Sequence, residues 1–239
     1  MQVNLVIPIK QLENAKQRLG TLLAADQRQA LFQAMVEDVL EAGTACDRID
    51  EVVVVTADET VARLAAGYGA RVMPEPEVPG LISAVTHAAS VFRQEGVDVM
   101  IFLPGDTPLV NAEELEVVLD GIGLTDKPEF LIVPANDLGG SNCVVCSPPD
   151  CMTFGFGEDS FRRHLRLAKE AGIEPMVAKL PGIGLDIDTP DDLQELVNEI
   201  IRHDIQSHTY RCLLANGLLS SSEQGGIVAL SSHALSNQR

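Results

Sequence analysis

A chain of 239 residues that is 46% hydrophobic has enough apolar mass for one large α/β domain, and it needs neither disulfides nor a structural metal to fold. Its formal charge of −18, from 35 acidic against 17 basic residues, argues against nucleic acid or an anionic membrane surface as a partner. Five irregularly spaced cysteines read as reduced thiols; no leader-like segment and no apolar run of ~18 residues is present, so a cytoplasmic protein is expected.

Along the chain, strand-like and helix-like segments alternate, as expected for a mostly parallel sheet flanked by helices. Residues 3–9 read as a buried strand that stops at a proline and empties into a loop carrying Lys10, Lys16 and Arg18. Asp26 to Gln29 reads as a capping box opening a helix to about residue 42. The run Glu-Val-Val-Val-Val at 51–55 is a second strand; its lack of alternation suits a sheet covered on both faces. Asp58 is expected to cap a short helix, followed by a strand at 70–73.

Residues 74–80, with three prolines and a glycine, can only be a loop. A helix to about 95 and a strand at 97–103 follow, the strand ending in Pro104-Gly-Asp106-Thr-Pro108. A helix near 112–121 precedes strands at 129–134 and 143–146, joined by a glycine-rich connection. A helix over 159–171, a strand at 175–180, an extended segment at 184–188 and an amphipathic helix at 189–203 complete the pattern. Small residues dominate from 207 onward, so a domain of 1–206 with a poorly ordered, low-complexity tail of 207–239 is expected.

Ligands of open α/β sheets sit beyond the carboxyl ends of the strands. The first strand delivers Lys10 there, the fourth Asp106, and the segment before the last helix Asp186 and Asp188. A cationic loop facing acidic loops suits a nucleotide whose phosphates are bridged to the protein by Mg2+, which takes one or two carboxylates plus phosphate oxygens. Each residue also has a plainer reading. Asp106 and Asp188 could cap the helices that follow them, and Lys16 and Arg18 could be solvated. A second cationic group, Arg162, Arg163, Arg166 and Lys169, reads either as a local anion site or as a solvated helix face. His164 beside it reads as an exposed residue or a substrate contact.

Cys143 and Cys146 lie three apart in a strand, point to opposite faces and cannot chelate one ion. The phosphate-binding loop Gly-x-x-x-x-Gly-Lys-Ser/Thr and the dinucleotide motif Gly-x-Gly-x-x-Gly are both missing.

Ile7-Pro-Ile-Lys10, Ala15-Lys16-x-Arg18-Leu19, Pro104-Gly-Asp106-Thr-Pro108, Gly140-Ser-Asn142, Phe156-Gly157-Glu-Asp-Ser160-Phe-Arg-Arg-His164 and Leu185-Asp186-Ile-Asp188-Thr-Pro-Asp-Asp-Leu193 together resemble the CofC/FbiD guanylyltransferases of coenzyme F-420 biosynthesis. The resemblance covers about residues 3–200. It implies a Rossmann-like nucleotidyltransferase fold of the nucleotide-diphospho-sugar transferase type. The implied reaction takes GTP and a phosphorylated three-carbon acid: phosphoenolpyruvate, 2-phospho-L-lactate or 3-phospho-D-glycerate.

Carried over by motif, Lys10, Asp106 and Asp186 would be catalytic, with Asp106, Asp186 and Asp188 at the Mg2+. Ser141, Gly157, Ser160, Lys16, Arg18 and Leu81 would bind substrates. A homodimer and a downstream transferase using the product are the implied partners. One departure stands out: Gly80-Leu81-Ile82 occurs where the family usually has an asparagine at the third position, which removes an amide donor and acceptor. The competing expectations are a nucleotidyltransferase of the molybdopterin or sugar-acid type and a non-catalytic nucleotide-binding module.

Overall fold

In the computed structural model, residues 1–13, 15–221 and 227–229 are described. Seven strands form one twisted sheet in the order β3-β2-β1-β4-β6-β5-β7. They are β1 (Val3–Pro8), β2 (Glu51–Val55), β3 (Arg71–Met73), β4 (Val99–Phe102), β5 (Glu129–Pro134), β6 (Ser141–Ser147) and β7 (Met176–Val177). Only β6 runs against its neighbours; the pairings β1–β2, β1–β4, β2–β3 and β5–β7 are parallel. The fold class is therefore the expected one.

The uninterrupted apolar strands divide their side chains between two cores. Leu5, Ile7, Val52, Val54 and Ile101 enter one, beneath α1 (Ala25–Ala45), α2 (Glu59–Gly67) and α4 (Ala112–Asp120). Val6, Val53, Val55, Met100 and Phe102 enter the other, beneath α3 (Leu81–Glu95) and α5 (Ser160–Glu170). Period-two alternation with both faces covered accounts for strands without polar positions. Cys143 belongs to the first core and Cys146 to the second, the opposed placement expected of them.

The chain runs outward from β1 to β3, then returns to the other side of β1 to make β4. That reversal opens a crevice beyond the carboxyl ends of β1 and β4, the usual ligand position in such sheets. The structure therefore brings the loop after β1 and the Pro104-Gly105-Asp106 turn to one place.

Three expectations are corrected. The start of α1 is not an Asp26 capping box: the helix begins at Ala25 and Gln27 Oε1 accepts from the Ala24 N–H at 2.9 Å. The strand expected at 175–180 is only two residues long, and a four-residue helix, α6 (Pro181–Gly184), follows it. The boundary at 206 also fails, because the chain continues past α7 (Pro190–His203) into α8 (His208–Ala215) and β8 (Leu219–Ser221), which pairs with β9 (Ile227–Ala229).

Helix α8 is part of the fold. Tyr210 and Leu213 are buried with Leu31, Met35 and Ile200 in a third apolar cluster. Asp38 of α1 accepts the N–H groups of His208 and Thr209 at 2.7 and 2.9 Å, closing the start of α8. The sequence hides this because the buried residues are few and the capping acid lies 170 positions away. The rest of the expected tail, 222–226 and 230–239, lies outside the described residues.

Candidate active site

Beyond Pro8 the backbone of β1 stays tied to β2, Ile9 N donating to Val55 O at 2.9 Å. The loop then turns through Lys16, which takes left-handed backbone angles (φ 55°) just before a 3-10 turn at Gln17–Thr21. This geometry, uncommon for a side chain other than glycine or asparagine, drives the lysine inward. Its side chain is 5% exposed, and Nζ donates to Asp106 and to Asp188 Oδ1, the latter at 2.9 Å. The Phe32 ring lies 5.6 Å away. Burial lowers the Lys16 pKa, but Asp106 and Asp188 outweigh it and hold the ammonium charged, above the ordinary lysine value.

The acidic loops are tied together by backbone, since Ile187 N donates to Asp106 O at 3.0 Å. The plain capping readings of the aspartates fail. Asn111 Oδ1 caps α4, accepting from Glu114 N at 2.9 Å. Thr189 caps α7, with Asp192 reaching back to it, so neither Asp106 nor Asp188 serves a helix end. Asp186 accepts from Asn142 Nδ2 at 3.0 Å, and the same amide donates to Ile183 O. Burial is the largest influence raising the Asp186 pKa, and the charges of Asp106 and Asp188 raise it further. Two carboxylates share one ammonium, and the third, Asp186, feels the charge of both, so the site is short of positive charge.

Arg18 is 75% exposed and stands 4.0 Å from Asp188, at the rim. Lys10 is exposed and has no ion-pair partner among the described residues; with Glu75, Gly80 and Leu81 it lines a cleft of about 170 Å³. Gly80 and Leu81 also border a neighbouring cleft of about 390 Å³, shared with Ile82, Phe156 and Gly157. Gly80 and Gly157 have φ of 131° and 107°, in the region that favours glycine, so both walls depend on it. A larger, mostly apolar cavity of about 750 Å³ between α3 and α5 contains none of the site aspartates or lysines.

Ser141, at the start of β6, and Ser160, at the start of α5, are both buried. The two are linked through His164, which is fully buried rather than exposed as the sequence suggests. Its Nδ1 is 3.0 Å from Ser141 Oγ, and its Nε2 accepts from Gly155 N at 3.0 Å. Burial drives the His164 pKa down to about 4, with the neighbouring Arg163 charge adding to the depression and the Ser160 backbone favouring the charged ring.

The second cationic group does not converge on one point. Arg163 donates to the carbonyls of Phe156 and Glu158 at 3.0 and 2.9 Å, Arg162 pairs with Asp159, and Arg166 pairs with Glu170. Arg163 instead holds the shape of the 155–158 turn. Sequence reasoning missed His164 and Asn142 as organisers. The histidine spacing four residues beyond Ser160, on the apolar side of α5, was the available signal for the first.

Among the described residues, Asp38, Glu41 and His208 are the trio of potential metal ligands whose atoms all lie within 4.8 Å of one another. These residues are already used in docking α8: His208 pairs with Glu37 and Glu41, and Asp38 closes the helix. Asp106, Asp186 and Asp188 are less tightly gathered.

The sequence matches the family model described as guanylyl transferase CofC like over residues 3–227. It is 39% identical over 191 residues to a phosphoenolpyruvate guanylyltransferase of Conexibacter woesei, covering 80% of this chain and 85% of that one. Identity to a 3-phospho-D-glycerate guanylyltransferase of Colwellia psychrerythraea is 37% over 196 residues, covering 82% and 91%. In fold, it is similar to a Desulfovibrio desulfuricans structure assigned to the nucleotide-diphospho-sugar transferases, with a TM-score of 0.74 at 20% identity over 91% of this chain and 96% of that one. With the crevice, the aspartates and the family match in agreement, the chain belongs to the CofC-like guanylyl transferases, a family of nucleotidyltransferases.

Proposed function

We propose that the crevice around Lys16, Asp106, Asp186 and Asp188 transfers GMP from GTP to the phosphate of a phosphorylated three-carbon acid, releasing pyrophosphate. The observation that carries the assignment of the site is the set of three aspartates that are coupled by charge and cap no helix. Family membership selects guanylyl transfer over the other nucleotidyl transfers. The curated relatives act on phosphoenolpyruvate and on 3-phospho-D-glycerate, and the resemblance adds 2-phospho-L-lactate, so these are the three acceptors to test. The resemblance supports a product used in coenzyme F-420 biosynthesis and handed to a downstream transferase, and a cytoplasmic homodimer as the working form. No helix among the described residues is long and apolar enough to cross a membrane.

The donor set fits a divalent cation: the ligands are hard carboxylate oxygens, and burial, with the charges of Asp106 and Asp188 adding to it, raises the Asp186 pKa. Asp106, Asp186 and Asp188 would hold Mg2+, which when bound offsets charge on the triphosphate. Lys16, already charged and buried at these carboxylates, is the side chain placed to meet the phosphates, with Lys10 and Arg18 at the rim. Gly80 and Leu81 shape the cleft wall beside Lys10.

Ser141, Gly157 and Ser160 bind the acceptor's phosphate or carboxylate. The acceptor phosphate, with a second pKa of about 6, is largely dianionic at neutral pH and needs no general base. The neutral, hydrogen-bonded His164 is accordingly not asked to remove a proton. The acceptor oxygen attacks the α-phosphorus in line, and the protein's task is to bring anions together. Ile82, 44% exposed beside Phe156 and Gly157, presents a methyl-bearing surface where the family usually has an amide, and is the residue placed to alter acceptor or ribose preference.

The test is pyrophosphate release from GTP and Mg2+ with each acid in turn, and with ATP and CTP as controls. Release with GTP and one acid fixes reaction and substrate. Equal turnover of ATP or CTP would overturn the guanylyl assignment.

A further inference from the structure

His164 is the largest departure between what the sequence suggests and what the structure contains, and nothing in the transfer chemistry uses it directly. Its two ring nitrogens have different obligations. The Gly155 backbone N–H can only donate, so Nε2 must accept at that 3.0 Å contact. A neutral ring carries one proton, which must then sit on Nδ1. Nδ1 faces Ser141 Oγ at 3.0 Å, so the histidine donates and the serine oxygen accepts. The direction of a hydrogen bond that is ambiguous by distance alone is thus fixed by the backbone on the far side of the ring. Burial keeps the ring neutral and so preserves this arrangement.

The consequence falls on Ser141. Its hydroxyl oxygen is engaged on the buried side, and its own O–H has no acceptor among the described residues. The ring itself cannot swing away: Phe156 packs against it edge-on, with centroids 4.8 Å apart and planes at 71°, and Phe130 lies behind. The first turn of α5 is tied to the loop before β6 by Phe161 N donating to Gly139 O at 3.3 Å, so His164 and Ser141 keep their register.

We propose that His164 is a positioning residue for the transfer reaction, orienting Ser141 so that its hydroxyl proton is committed to the anionic group of the acceptor acid. This rests on the reading of Ser141 as an acceptor contact. Facing an unprotonated Nδ1, the serine would give its proton to the ring and turn only lone pairs toward an incoming anion. Facing the Nδ1–H, Ser141 keeps its own proton for the anion. His164 thereby converts an ambivalent hydroxyl into an anion-selective one without touching substrate.

Two measurements test it. In the wild-type protein, 15N NMR of the histidine rings at neutral pH should show His164 as the neutral Nδ1–H tautomer. The Nε2–H tautomer or an imidazolium would overturn the inference. The second is a double-mutant cycle in acceptor KM, with GTP KM as the internal control and thermal melting to verify folding. Ser141→Ala should raise acceptor KM by roughly 10- to 100-fold, the range for losing a hydrogen bond to a charged group, and leave GTP KM within about threefold.

His164→Leu should raise acceptor KM by about tenfold alone and by nothing further in the Ser141→Ala background. His164→Asn, whose amide can donate from nearly the Nδ1 position, should restore most of the loss and serves also if the leucine variant does not fold. Additive effects of the Ser141 and His164 changes would overturn the inference and leave the acceptor reading intact. An unchanged acceptor KM in Ser141→Ala would overturn the acceptor reading itself.

Discussion

Two groups of buried acids in this molecule behave in opposite ways. Asp38 and Glu114 each accept two backbone N–H groups: Asp38 from His208 and Thr209, Glu114 from Gly182 and Ile183 at 2.8 and 2.7 Å. In both, burial raises the pKa and the backbone hydrogen bonds oppose it. At Asp186, burial also raises the pKa, but the next acids in space, Asp106 and Asp188, push the same way. A fold that needs a buried acid for its own sake surrounds it with donors. One that surrounds it with further acids is arranged for a cation brought from outside, and Lys16 fills part of that need until then.

The largest expected effect would break the comparison outright. Asp106→Asn should lower turnover by at least ~10²-fold, the scale of removing one electrostatic element from a transfer site, as read by pyrophosphate release. Asp38→Asn should leave turnover per folded molecule unchanged. Near-normal rates for the Asp106 variant would reduce the site acids to the same rank as Asp38.

The structural acids are tested by denaturation. Glu114→Gln puts an NH2 group against one of two N–H donors, so about 1–3 kcal/mol of stability should be lost, the range for an unsatisfied buried group. Urea unfolding measures this, and KM for GTP should not move. A variant as stable as wild type would mean that Glu114 does not hold α6 in place.

Much of this division could be read from the chain and some could not. Strands rich in β-branched residues and the Pro-Gly-Asp106 and Asp186-Ile-Asp188 segments were legible, because local pattern and strand ends decide them. What hid was whatever depends on residues far apart. Asp106 and Asp188 each had a plausible capping role, and only the positions of Asn111 and Thr189 show that the role is taken. From the sequence Lys10 is the catalytic cation and Lys16 a substrate contact or a solvated residue, but it is Lys16 that meets the carboxylates. Left-handed backbone at Lys16 sends one of them inward and leaves the other on the surface. His164 was misread because burial of a polar ring is settled by Ser141, Gly155 and Phe156, none of which neighbours it in the helix.

Lys16 sharpens the comparison from the other side. If its ammonium stands between carboxylates that otherwise call for a metal, Lys16→Met should bind Mn2+ more tightly than wild type in the absence of nucleotide. About tenfold in apparent Kd is expected, equivalent to about 1.4 kcal/mol, and it can be followed by the paramagnetic signal of free Mn2+. The same variant should be slow in transfer. Unchanged Mn2+ affinity would mean that lysine and metal do not compete for these oxygens.

The smallest effect is the most discriminating. The folded-state pKa of Asp186 lies above its unfolded value, so ionising it costs stability, and the cost is fully present at pH above that raised value. As pH falls through the raised folded pKa toward the ordinary aspartate value near 4, the folded protein gains its proton first and the cost fades. Asp186→Asn removes the charge while keeping an oxygen that can accept from Asn142, so the variant should be more stable than wild type at pH 7. That advantage should shrink in urea titrations run at successively lower pH, although the variant transfers poorly throughout. Glu114→Gln has the same raised carboxyl to neutralise and should lose stability at every pH, because its N–H partners still need two oxygens. Opposite signs for two neutralisations of acids whose pKa burial raises would separate a cation site from a helix anchor by thermodynamics alone. A loss at Asp186 that matches the loss at Glu114 would place Asp186 among the structural acids and leave Asp106 and Asp188 as the only candidates for the metal.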